Sequence, residues 1–169
     1  SAAAMANPRS VRLGWTIYTT GDGLVDNEVL SVAVAADGAL WVGTEGGVSR
    51  FDGETWTTYT EKDGLTGKVW AIAAAPDGAV WFGTPYGVSR FDGETWTAYT
   101  KEDGLVANGV QSIAVAPDSA VWFGTRYGVS RFDGQTWTTY TEDDGLVDNT
   151  VFSIAEAPDG VVWFGTYQG

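Results

Sequence analysis

A unit of about 40 residues written four times, four short strand signals inside each unit, and no sustained helical periodicity predict an all-β fold. The expected architecture is a β-propeller of four-stranded antiparallel blades, four per chain. The copies align on Val29, Val69, Val110 and Val151, in steps of 40, 41 and 41 residues. A period of that size marks a solenoid, a propeller or an array, and the four strands per unit select the propeller.

The elements follow in chain order. Residues 1–9 begin SAAAM, which has neither the charged nor the apolar region of a signal peptide. They read as an expression-tag scar and an N-terminal extension, with the natural chain starting near Met5. Whole blades are expected at 28–60, 68–100 and 109–141. Strand A (VWAIAAA from Val69, VQSIAVA from Val110) is small and apolar. A PDG or PDS turn leads to strand B, AVWFGT, whose aromatic and β-branched residues suit a sheet buried on both faces. A short Gly-containing loop leads to strand C, GVSRF. A DGE or DGQ turn leads to strand D, TWTTYT, and a longer loop containing DGL leads to the next valine. Small residues in A and bulky ones in D fit wedges that converge on an axis.

Units of the form V-x-S-I-A-x-A-P-D-G-x-V-W-F-G-T-x-x-G-V-S-R-F-D-G-x-T-W-T-x-Y-T resemble the two-component regulator propeller repeat of bacterial proteins. The resemblance runs over the chain after residue 10 and is strongest at G-x-V-W-F-G-T and G-V-S-R-F-D. It implies a β-propeller, commonly of seven blades, of the kind found in the sensor halves of hybrid regulators. This chain departs from that pattern in having four repeats and no kinase or DNA-binding module. Streptogramin lyases are a more distant resemblance, and their chemistry is expected to need a histidine; this sequence has none.

The last unit, 150–169, supplies strands A and B. Residues 10–27 supply a worn strand C and D with the following loop: Arg12 falls on Arg50, Leu13 on Phe51, Trp15 on Trp56 and Tyr18 on Tyr59. These are complementary halves of one blade. One chain could close as four blades at about 90° each, or two chains as eight at about 45°. Seven-fold relatives turn about 51° per blade, so the sequence favours the eight-bladed homodimer, with no sheet edge left open. Arg12, Leu13, Trp15, Tyr18, Val151, Ile154 and Trp163 are the residues expected to close it.

Composition limits the function. Nine Lys and Arg against 22 Asp and Glu give a net charge of −13, which repels phosphate backbones and anionic lipid. Neither nucleic acid nor membrane is an expected partner. With no Cys and no His, and with its carboxylates repeated or in turns, the chain offers no catalytic constellation, no cofactor site and no metal site. Arg50, Arg90 and Arg131 read as inter-blade ion pairs. Glu156 replaces an apolar or small residue of strand A and is expected to face the axial channel.

Differences between the copies concentrate in the B–C and D–A loops, which a meander places on one face. Glu45, Lys68, Trp70, Tyr86, Arg126, Tyr127, Tyr167 and Gln168 are the candidate ligand-binding residues there, suited to a sugar or a peptide. Free drift of loop tips after duplication explains the same letters. Three readings follow: a non-enzymatic self-assembling scaffold, recently amplified or engineered; a carbohydrate- or peptide-sensing module; and, against the lack of His, a lyase-like enzyme. Both a cytoplasmic and an exported location stay open.

Overall fold

The computed structural model describes residues 14–169. β1 (Val29–Val34), β2 (Leu40–Thr44), β3 (Gly47–Phe51) and β4 (Trp56–Tyr59) form the first sheet. β5 (Ala71–Ala74), β6 (Val80–Thr84), β7 (Gly87–Phe91) and β8 (Trp96–Tyr99) form the second. The third is made of β9 (Val110–Val115), β10 (Val121–Thr125), β11 (Gly128–Phe132) and β12 (Trp137–Tyr140). β13 (Val151–Glu156) and β14 (Val162–Thr166) pair as a two-stranded sheet. The strands expected of the three whole blades and of the last unit are therefore present, in antiparallel order; of the strands C and D expected within 10–27, residues 14–19 form no strand and residues 10–13 lie outside the described residues.

The repeated letters produce repeated register. Leu40 faces Phe51, Val80 faces Phe91, and Val121 faces Phe132. The turns have local causes. Between A and B, the Asp37 carboxylate accepts the Ala39 N–H at 2.9 Å. Between B and C, Thr44 Oγ1 donates to the Gly47 carbonyl at 2.9 Å. Gly47 has φ +138° and lies against the Tyr59 carbonyl, where a Cβ has no room. Between C and D, Asp52 Oδ1 accepts the N–H groups of Glu54 and Thr55 at 2.9 and 2.7 Å.

The long D–A loop is closed from its own ends. Asp22, Asp63, Asp103 and Asp144 each accept the backbone N–H and the hydroxyl of the threonine three residues earlier. Two of these loops contain a single 3-10 turn, at Glu61–Asp63 and Glu142–Asp144.

Blades stack through the WFGT motif. Trp41 stacks on Tyr59 of its own blade at 5.8 Å and meets Phe82 and Phe91 of the next at 5.4 and 5.9 Å. Trp81 repeats this with Tyr99, Phe123 and Phe132 at 5.7, 5.5 and 5.9 Å. Each such pair contributes about 0.5–1.5 kcal/mol beyond the area it buries. Nearer the axis, Val69 packs on Gly43, Val110 on Gly83 and Val151 on Gly124. The strands β1, β5, β9 and β13 lie side by side in that order, which gives the arc its centre.

Candidate functional surfaces: the open blade ends and the loop face

The arc is open. Among the described residues no strand pairs with the outer edge of β14, and residues 14–19 join no ladder. Val69, Val110 and Val151 are fully buried, whereas Val29 is 45% exposed because no glycine of a preceding blade covers it. Trp41 and Trp81 are 2% and 4% exposed, whereas Trp163 is 66% exposed because no following blade covers it. Val32 and Val34 lie bare at the first end, as do Phe152 and Val161 in the last unit. The two ends are the two sides of the contact that joins every other pair of blades.

Tyr18 already occupies a strand D position. Its ring is 5.7 Å from Phe51 and 5.4 Å from Trp56. Tyr59 stands 5.3 Å from Phe91 and 5.4 Å from Trp96 in the same relation to the next blade. Thr19 likewise binds Asp22 as Thr60 binds Asp63. Trp15 is almost wholly in solvent. Arg12 and Leu13 lie outside the described residues. Val151 packs inside the chain on Gly124, so the valine left at an open end is Val29, which letters alone could not distinguish from its copies. Ile154 pairs with Phe164 and is half-buried.

The B–C and D–A loops do share a face. Val69 N–H donates to the Thr44 carbonyl at 3.0 Å, and Tyr167 N–H to the Thr150 carbonyl at 3.0 Å. Glu45 and Lys68 form an ion pair at 2.9 Å between the first two blades, and the Lys68 ammonium lies 5.7 Å from the Trp70 ring. Trp70 is half-buried beneath it. Tyr86, Tyr127 and Tyr167 stand exposed, as does Arg126. The Gln168 side chain donates to Asp148 at 3.1 Å. The face thus offers aromatic rings for stacking and one arginine.

The opposite face corrects two expectations. Arg50 pairs with Asp37 and Arg131 with Asp118, both at 2.8 Å, and Arg90 approaches Asp77 at 3.7 Å. These are pairs within one blade. Each guanidinium also lies over the tryptophan of its own strand B, which turns the arginine back toward its own A–B turn. Glu156 does not point into the axial channel. It lines a cavity of about 290 Å³ between the third and fourth units with Asp118, Trp122 and Arg131. One of its carboxylate oxygens is buried without a hydrogen-bond partner. Burial first, and then the Asp118 charge, raise its pKa. Asp52 and Asp92 titrate lower, at about 2, chiefly because backbone N–H groups bind the carboxylate. For Asp133, also about 2, the Thr136 hydroxyl is the leading cause.

Among the described residues no group of three or more acidic side chains could hold a metal ion. No helix among them is long and apolar enough to cross a membrane.

These surfaces belong to a propeller, and comparison with known proteins agrees. Residues 23–46 and 145–168 match the family described as two component regulator propeller. The chain is similar in fold to the extracellular domain of a hybrid two-component system from B. thetaiotaomicron: 21% identity, TM-score 0.79, covering 90% of this chain and 22% of that one. A second such domain from the same organism has 17% identity and TM-score 0.70, covering 88% and 22%. Virginiamycin B lyase from Staphylococcus aureus, solved with quinupristin as a catalytically inactive histidine-to-alanine variant, has 19% identity and TM-score 0.68, covering 90% and 52%. This chain therefore spans about a fifth of the length of the two signalling domains. No curated protein matches it.

Proposed function

We propose that the chain is a non-enzymatic propeller scaffold completed by a second copy of itself. The N-terminal half-blade of one chain joins β13 and β14 of the other, at both ends, giving an eight-bladed homodimer. The observation that carries this reading is the paired exposure of Val29 and Trp163, whose copies Val69, Val110 and Val151, and Trp41 and Trp81, are buried between blades, while Trp122, which faces only the half-blade, is half-buried. Val29 would meet Gly165 of the second copy as Val69 meets Gly43. Trp163 would meet Phe51 of the second copy's first blade as Trp41 meets Phe91. The smaller turn per blade in an eight-fold ring lies closer to that of seven-fold relatives. Light scattering over a dilution series tests it. A mass near 36 kDa, twice 18.0 kDa, is expected, and a mass near 18 kDa at every concentration overturns it.

The exposed tyrosines favour a second role on the same scaffold, ligand sensing on the loop face. Tyr86, Tyr127, Tyr167 and Arg126 would bind a sugar or peptide, with Trp70, Lys68, Glu45 and Gln168 framing them. The likeness to extracellular domains of two-component systems supports this reading, as does the loops' rigid support. A glycan array probed with the chain and with Tyr127→Ala tests the sugar arm. Binding weakened by the substitution is expected, and no binding to any glycan removes that arm.

A further inference from the structure

The half-blade of β13 and β14 keeps the form of a whole blade although no strand of the described residues pairs with its outer edge. Its register, Ser153 to Gly165 and Ile154 to Phe164, copies Ser112 to Gly124 and Ile113 to Phe123. Phe164 meets Trp122 edge-on at 5.5 Å, as Phe123 meets Trp81 at 5.5 Å. The mould is therefore seated on the third blade before strands C and D arrive.

Four contacts made in the other blades define what fits it. Trp41, Trp81 and Trp122 each stack on the strand D tyrosine of their own blade, at 5.8, 5.7 and 5.6 Å; among the described residues no ring reaches Trp163. Asp37 and Asp118 each hold a strand C arginine at 2.8 Å; their copy Asp159 has no ion-pair partner among the described residues. The N–H groups of Val25, Thr66 and Val106 donate to the strand C serines Ser49, Ser89 and Ser130 at 2.9, 3.0 and 2.8 Å. Val147, the fourth in that series, has no such acceptor among the described residues and lies exposed. Gly23, Gly64 and Gly104 are pressed on the strand D tryptophans Trp56, Trp96 and Trp137, so that a Cβ would come within 2.6, 2.8 and 2.6 Å of them. At Gly145 a Cβ would meet no atom of the described residues, its chain neighbours aside, within 4 Å.

We infer that this half-blade is a receptor for a detached C–D hairpin of the repeat. The hairpin's tryptophan seats over Gly145, its tyrosine stacks on Trp163, its arginine reaches Asp159 and its serine accepts from Val147. The inference rests on the reading that the half-blade is completed in trans, and it adds a ligand preference. Counting back from the match of Arg12 to Arg50, the chain's own N-terminal segment has Val11 in place of the serine and Leu13 in place of the phenylalanine, with a shortened turn. Residues 128–141, GVSRFDGQTWTTYT, carry the whole set. As isolated peptides, the internal hairpin is the tighter ligand.

The test uses the full 169-residue chain with Trp15→Ala, which weakens the hold of a second copy and leaves the receptor intact. Trp15 is 97% exposed in the lone chain, so its loss spares the fold. A labelled peptide of residues 128–141 is followed by fluorescence anisotropy. Saturable binding is expected. It should weaken about 30-fold or more when the peptide carries Trp137→Ala, and as strongly when the chain carries Trp163→Ala. A peptide of residues 6–19 should bind about tenfold more weakly. No saturable binding, or equal binding of the two peptides, overturns the inference. Scattering of the unsubstituted chain keeps the two readings apart. A dimer that excess peptide does not convert toward 18 kDa defeats the receptor alone, and a monomer that binds the peptide defeats the dimer alone.

Discussion

Glu156 is a local fault in an otherwise repeated contact. Its copies are Val34, Ala74 and Val115, and it puts an unpartnered carboxylate oxygen between two units. Its pKa is raised, so folding disfavours the ionised form. The cost is present above the ordinary glutamate range and is relieved as pH falls through the folded value. Glu156→Val should therefore raise stability at pH 7, by about 1–3 kcal/mol if the orphaned acceptor is the whole cost. Denaturant melts at several pH values check this. The gain should shrink on acidification, and a constant gain would point to packing alone. The C–D turn aspartates behave in the opposite way. Asp52, Asp92 and Asp133 are depressed to about 2, so what they contribute to stability is present above the unfolded value and is lost as pH falls toward 2. Carboxyl titration by NMR should place all three midpoints well below those of ordinary aspartates.

Strand B shows how one letter sets the spacing of blades. The glycine of WFGT gives the next valine its place, and a Cβ on Gly43 would lie 2.6 Å from Val69 Cγ1. Gly83→Ala should cost about 1–3 kcal/mol of folding stability, as overpacking does, measured by urea unfolding. Gly165→Ala separates fold from assembly. Within one chain its Cβ would crowd only Ser153, but in the proposed dimer it would also crowd Val29 of the second copy. A dissociation constant raised well beyond any change in monomer stability is expected, and an unchanged one would place Val29 elsewhere. Such elements were legible in the letters, because strand period and turn chemistry are local. The pairing of Arg50 with Asp37 was not, since it depends on the stacking of the guanidinium on Trp41 in three dimensions.

The arc as a whole leaves apolar residues exposed at both ends, Val29, Val32 and Val34 at the first and Trp163 at the last. If a second copy covers them, the midpoint of thermal unfolding should rise with protein concentration, because association stabilises the folded state by mass action. A midpoint constant over a hundredfold dilution would argue for a lone arc. Strand order, turn positions and the WFGT packing motif were readable from the repeats, since each follows from residues within about 40 positions of one another. The burial of Val151 against the exposure of Val29, the direction of Glu156 and the open space beside Gly145 were not. Identical letters acquire different environments according to whether a blade stands on either side of them, and that neighbour is set by position around the axis, which no local stretch of sequence encodes.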